Sequence, residues 1–455
     1  MSRRLLLALL CFANAGAIGC SSSESGTLEL VTGLEPDTFS RAPAPVELKV
    51  ESVNSAGQKQ TLATASLPAT QVDLGSVDQS AEGTLQVTGL DANGDPVVYG
   101  QSLPIQFGSL DGVAPLPVFV QRMGEFARMP APLSDDRTAP TLAHVGGRYR
   151  FIGGGVSGGD SSVSDTAQIY DFAYYAPLSP PPSLPRAPES VVWVGTVAWL
   201  IDQTGATSFD LSQGTKADVT APAGGSFGAV AGGATVVATD GTQYVVGATR
   251  ATGNPTQTVL EIDPTGSASW ATLSAARLGA AATWVVGRGL VVAGGSAQAA
   301  GVEIIAPGAT NGAALAYPPD PSIGSGAAAL DGQHILLAGG TTAEGLGATV
   351  RSIDLACSMQ CAPTPWAALP ETPALAPAQV FASDSAHALL IGDDASGMTH
   401  AFRLTATAAD GGVVGSGAVT EILTKAKHTG GRAIVSPLGS VVLFGGTGEI
   451  ESFVP

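Results

Sequence analysis

The stretch LGAAATWVVGRGLVVAGG, residues 278–295, decides the fold. Residues 278–286 are small and apolar and read as a strand. Gly287-Arg288-Gly289 is a tight turn, where glycine reaches positive φ without a steric cost. Residues 290–293 form a second strand, stopped by Gly294-Gly295. Working outward, residues 301–307 read as a third strand and 313–317 as a fourth. One such unit cannot bury its own faces, so repetition is the next thing to look for. The mark recurs at Phe151-Ile152-Gly153-Gly154, Val245-Val246-Gly247, Leu336-Leu337-Ala338-Gly339-Gly340, Leu389-Leu390-Ile391-Gly392 and Val442-Leu443-Phe444-Gly445-Gly446. The spacing is roughly 45 to 54 residues, except for one double gap between Gly153 and Gly247. Val197-Ala198-Trp199-Leu200-Ile201-Asp202 falls in the middle of that gap as a degenerate copy. Four-stranded units repeated at this period predict an all-β chain with a β-propeller of seven blades. Six, with the degenerate unit looped out, is the alternative.

These units resemble kelch repeats. The resemblance rests on the glycine pair after the second strand and on third strands ending in Ile262-Asp263-Pro264 or Ile169-Tyr170-Asp171. It rests also on Trp270 and Trp366 opening fourth strands, and on Arg137, Arg186 and Arg277 before first strands. It covers residues 118–455 and implies a kelch-like propeller. The last unit, 430–455, has three strands, and residues 118–129 are expected to supply its fourth. That closure would remove the edges that invite aggregation.

The N-terminus carries an export pattern. Arg3 and Arg4 precede an apolar run at 5–17, which is too short to span a bilayer. Ala17-Ile18-Gly19-Cys20 then leads into Ser21-Ser22-Ser23. This resembles the lipobox of bacterial lipoproteins, with Ala17 where Leu is usual. The resemblance implies a signal peptide at 1–19, a lipidated Cys20 and a Ser-rich tether at 20–26. The chain would then sit in the cell envelope, outer membrane or cell surface, with the lipid as its membrane contact. Residues 27–117 alternate apolar and polar, as in Val46 to Glu51, and carry the turn Asp91-Ala92-Asn93-Gly94-Asp95. They predict a small immunoglobulin-like or fibronectin-like β-sandwich. Cys357 and Cys361 remain after processing, and in an oxidising compartment they predict a short disulfide.

Composition narrows the function. Of 455 residues, 59 are Gly and 31 Pro, about a fifth of the chain, below the share that signals low-complexity disorder. The net charge of −18 argues against nucleic acid as a partner, since phosphates need a basic stripe. No phosphate-binding or nucleophile-elbow motif appears. The five histidines show no ligand spacing, and Asp160, Asp165, Asp393 and Asp394 lack a calcium-loop rhythm. No cofactor or metal is expected, and the chain is expected to be a monomer. Connections between second and third strands, such as 155–166, are longer than the turns at the opposite end. Arg137, Arg186, Arg277, Lys425 and Lys427 fall in connections at that same end. They read either as a basic mouth for an anionic group or as donors to backbone carbonyls between blades. The expectation is a lipid-anchored binding or scaffold protein that meets a protein or glycan through its propeller loops. An extracytoplasmic enzyme or enzyme accessory is the alternative.

Overall fold

Seven four-stranded antiparallel sheets stand in a ring and form a seven-bladed propeller. The computed structural model describes residues 26–75, 80–110, 114–157, 164–179, 182–247, 254–347, 349–368, 374–405 and 418–455. The signal segment, Cys20, residues 20–25 of the tether, Asp160 and part of the 155–166 loop lie outside these. Blade 1 runs from Thr141–Val145 to Ala176–Pro177, and blade 2 from Ser190–Val194 to Thr215–Val219. Blade 3 runs from Ala234–Val237 to Ala268–Arg277, and blade 4 from Ala281–Val285 to Ala313–Ala314. Blade 5 runs from Gly326–Ala329 to Thr364–Ala368, and blade 6 from Ala378–Ala382 to Ala418–Glu421. Blade 7 starts at Arg432–Val435. The degenerate copy is therefore a complete blade. Its second strand, Val197–Asp202, pairs on both sides without a glycine pair to end it.

The first strand of each blade is innermost, and these seven strands neighbour one another around the ring. Crowding there explains the run of Ala and Gly. A Cβ added to Gly326 would lie 2.9 Å from the Gln379 backbone of the next blade. Second strands are sandwiched within the blades and are apolar at their centres. Leu200, Val246, Leu290, Leu336, Leu390 and Leu443 are all fully buried. Each such side chain contributes roughly 1.5–3 kcal/mol relative to exposure.

The last blade orders Arg432–Val435, Val441–Phe444, Glu451–Phe453 and Phe126–Arg128. Its outer strand comes from the N-terminal side of the chain, with Phe126 paired to Phe453 and Arg128 to Glu451. This corrects the span expected at 118–129. Leu116–Arg122 belongs to the N-terminal sheet, where Leu28 to Val31 pair with Leu116 to Phe119 in parallel. Val118 and Val120 are fully buried in that sheet's core, leaving only the three residues from Phe126 to close the ring.

The N-terminal region is one sheet, ordered Lys59–Ser66, Glu47–Val53, Glu82–Leu90, Pro96–Gln101, Leu116–Arg122, Thr27–Val31 and Gln71–Asp73. Its end strands approach each other, so the sheet curls nearly closed over Leu28, Leu48, Val50, Leu85, Val87 and Val98. Alternation sets the faces: along Glu47–Val53, Leu48, Val50 and Ser52 point inward. No helix among the described residues is long and apolar enough to cross a membrane.

Candidate binding face and central channel

Connections from second to third strand, and from one blade to the next, lie at one end of the ring. Arg137 and Arg186 sit in connections leading into blades at that end, and Arg277 ends the fourth strand of blade 3 there. Arg137 donates to the carbonyls of Gly154 (3.1 Å) and Thr166 (2.7 Å) and to the Asp135 carboxylate (2.6 Å). Arg277 donates to the carbonyls of Gly294 (2.7 Å) and Ala300 (2.6 Å) and to Glu303 (2.6 Å). In blade 7 the same place is held by His428, whose Nδ1 lies 2.7 Å from the Gly445 carbonyl and Nε2 3.3 Å from Glu451. In all three the donor precedes the glycine acceptor by 17 residues.

The partners share a register too. Glu303 lies opposite Val292 and Glu451 opposite Leu443, each two residues before the glycine that ends the second strand; in blade 1 the same register holds Gln168, opposite Ile152, which reaches Arg137 only through Asp135 and accepts from the Ser134 N–H. Blade 5 reverses the polarity. There Arg351, opposite Leu337, reaches back to Asp320 at 2.5 Å. In blade 2 Arg186 meets Thr207 at 2.9 Å, opposite Leu200, and Asp202 at 2.8 Å. In blades 3 and 6 the register position holds Leu260 and Phe402. The matching connections bring Val230 and Leu375, and all four side chains are fully buried. Each blade thus locks its incoming connection onto its third strand, by a polar pair in five blades and an apolar pair in two.

This settles where the expected cations are. Arg137 and Arg277 have 0% exposure and are spent on carbonyls and carboxylates. Arg186 is paired with Asp202, and the Lys425 ammonium sits 3.3 Å from Glu125. Of these five cations only Lys427 is exposed without an ion-pair partner among the described residues. Among the described residues these cations therefore do not gather into a basic mouth. Buried backbone acceptors needed donors, and the arginines serve them. Sequence reading missed the acids that complete these locks. Glu303, isolated in the apolar run Val302–Ile305, was the available signal, because a lone carboxylate there must be paired to be buried.

The innermost strands enclose a central channel of about 780 Å³. Thr141, His144, Glu189, Thr235, Ala282, Ala327, Gln379 and Arg432 are among its lining residues. Two wall amides bridge neighbouring chain segments. Gln379 donates to the Ala433 carbonyl (3.0 Å) and accepts from the Ala433 N–H (2.8 Å). Gln243 accepts from the Trp193 N–H (3.2 Å) and donates to the Trp193 carbonyl. Arg432 donates to Asp393 at 2.9 Å. The His144 ring is open to channel water. Yet the surrounding protein mass, with Arg150 nearby, pushes its pKa down to about 4, so it is neutral at pH 7.

Other histidines serve turns and strands. His334 and His387 each hold a carboxylate three residues earlier, Asp331 at 2.9 Å and Asp384 at 3.0 Å. His400 lies between Asp394 (3.3 Å) and Glu421 (3.1 Å). Asp394 caps its own loop, and the Ser396 hydroxyl holds its carboxyl below the usual range. Among the described residues no three His, Cys, Asp or Glu side chains are arranged to hold a metal ion. Cys357 and Cys361 form the expected disulfide, with Cα atoms 5.8 Å apart, in the outer loop of blade 5 at the other end of the ring.

No family model matches the sequence, and no curated protein matches it. Among solved structures, the chain is similar to the computationally designed Ika8 protein. Identity is 10% and the TM-score 0.39, with 72% of this chain and 100% of that chain covered.

Proposed function

We propose that this chain is a lipid-anchored extracytoplasmic binding protein, a bacterial lipoprotein with a kelch-like propeller. It meets a protein or glycan partner through the loop-bearing end of the ring. The observation that carries this reading is the direction of two strands. Leu116–Arg122 leads into the propeller, and Thr27–Val31 runs parallel to it. Gly26 therefore lies at the end of the N-terminal sheet far from the propeller, below the blade end that carries Gly124 and Val454. A chain held at Cys20 would stand on this sheet and turn the loop-bearing end outward. The lipobox resemblance and the acidic balance support the same arrangement, since an acidic fold gains nothing from anionic headgroups and depends on its acyl chains.

The partner is not anionic on this reading, because the arginines that would have met it are neutralised inside the blades. The test is membrane fractionation with mass analysis of the N-terminus. Cys20→Ala moves the protein into the soluble fraction, and the wild-type N-terminal peptide carries acyl mass. A Cys20→Ala protein that stays with membranes, with no acyl mass on the wild type, overturns the anchoring.

A further inference from the structure

We infer that the central channel is a binding site for a primary ammonium of the lysine type, presented by a protein partner. This deepens the binding reading above and rests on it. The argument is a count of what the wall leaves available. Gln243 and Gln379 have both ends of their amides committed to the backbone. Arg432 is neutralised by Asp393, and the Ser190 hydroxyl accepts from the Gly232 N–H. His144 is uncharged. The remaining charge on the wall is Glu189, which has no cationic partner among the described residues.

Glu189 precedes the first strand of blade 2, so it stands at the loop-bearing mouth. Its Oε2 accepts from Gln203 at 2.7 Å, and this leaves Oε1 for a ligand. One open carboxylate oxygen does not suit a guanidinium, whose fork pairs best with two. It does suit an ammonium, whose three donors can fan out to a carboxylate and to neutral acceptors. The small residues of the innermost strands leave a bore for the alkyl stem, lined by Ala282 and Ala327. Association is helped at distance by the net charge of −18.

The experiment is calorimetric titration of the full chain with the peptide trilysine, at low and at physiological salt. Trialanine and triglutamate serve as comparison probes. Wild type gives saturable binding of trilysine alone. Glu189→Gln weakens it about tenfold, the worth of a charge-assisted hydrogen bond. Glu344→Gln, an exposed acid in the second-to-third-strand hairpin of blade 5, leaves it unchanged. Equal losses in the two variants mean diffuse attraction to an acidic surface and overturn the site. So does unchanged affinity in Glu189→Gln, or no saturable binding by wild type. The membrane-display reading stands or falls separately, on the Cys20 fractionation.

Discussion

Arg277 and Glu303 lie wholly out of water, so each depends on the other for its charge. Removing one partner of a buried pair strands the other, at a cost of about 3–5 kcal/mol. Arg277→Leu alone should therefore lower the thermal unfolding midpoint markedly. The chain itself carries the remedy. Blades 3 and 6 fill the same register with Val230 against Leu260 and Leu375 against Phe402. The double variant Arg277→Leu, Glu303→Leu should recover part of the loss. Recovery stays partial because the carbonyls of Gly294 and Ala300 and the Ser274 N–H lose their partners. A double variant no more stable than the single one would show that the lock cannot be made apolar in blade 4. His144 carries a second prediction, with a definite sign. Its pKa falls from 6.5 to about 4 on folding, so the unfolded chain takes up the proton first. Stability from this group is present above pH 6.5 and is lost as pH falls toward 4. His144→Gln should narrow the difference in midpoint between pH 7 and pH 4.5. An unchanged difference would exclude His144 from the acid response.

Elements differ in how far their sequences reveal them. First and second strands were legible because the hairpin is local. A run of small residues, a glycine turn and an apolar run ending in glycine leave little choice of geometry. Blade 2 was legible without its glycines because Ser190–Val194 and Val197–Asp202 keep the apolar run and the short turn. Fourth strands were harder to read. Ala313–Ala314 has only two residues, both exposed, and its pairing with Glu303 and Ile304 is set by the blade beside it. The closing strand fails for a related reason. Residues 118–129 read as one closing strand although the turn at Gly124 divides them, and nothing local says which part joins which sheet. Long-range register decides it: Leu28 takes Leu116, and Phe453 takes Phe126. The site divides in the same way. The small residues of first strands were visible in the pattern. The fate of the arginines did not, because each lock joins residues from different strands and connections. Glu189 carries no motif, and its proposed role rests on what surrounds it.

At the scale of the whole molecule, the proposed presentation of the loop-bearing end requires that the N-terminal sheet and the ring move together. The junction is built for this. The Phe119 N–H donates to the Tyr175 hydroxyl at 2.9 Å, Gly124 N–H to the Val454 carbonyl at 2.7 Å and Leu34 N–H to the Arg128 carbonyl at 3.2 Å. Arg128 also pairs with Glu35 at 2.9 Å. Phe119 from the sheet joins Tyr170, Tyr175 and Phe444 of the ring in one buried cluster. Tyr175 is held at φ +52°, a left-handed conformation that costs a non-glycine residue of order 1 kcal/mol or more. Its buried ring and its bond to Phe119 offset that cost, so the docked sheet holds the turn in place. Tyr175→Gly separates the two effects. It relieves the backbone, which steadies blade 1 taken alone, and it deletes the anchor between sheet and ring. The expected calorimetric result is the replacement of one cooperative transition by two, the N-terminal sheet melting first. Tyr175→Phe keeps the ring and loses only the hydroxyl, so it should lower the midpoint slightly and keep one transition. A single transition in Tyr175→Gly would mean that the backbone bonds at Gly124 and Leu34 suffice. The rigidity of the proposed stalk would then not depend on the aromatic junction.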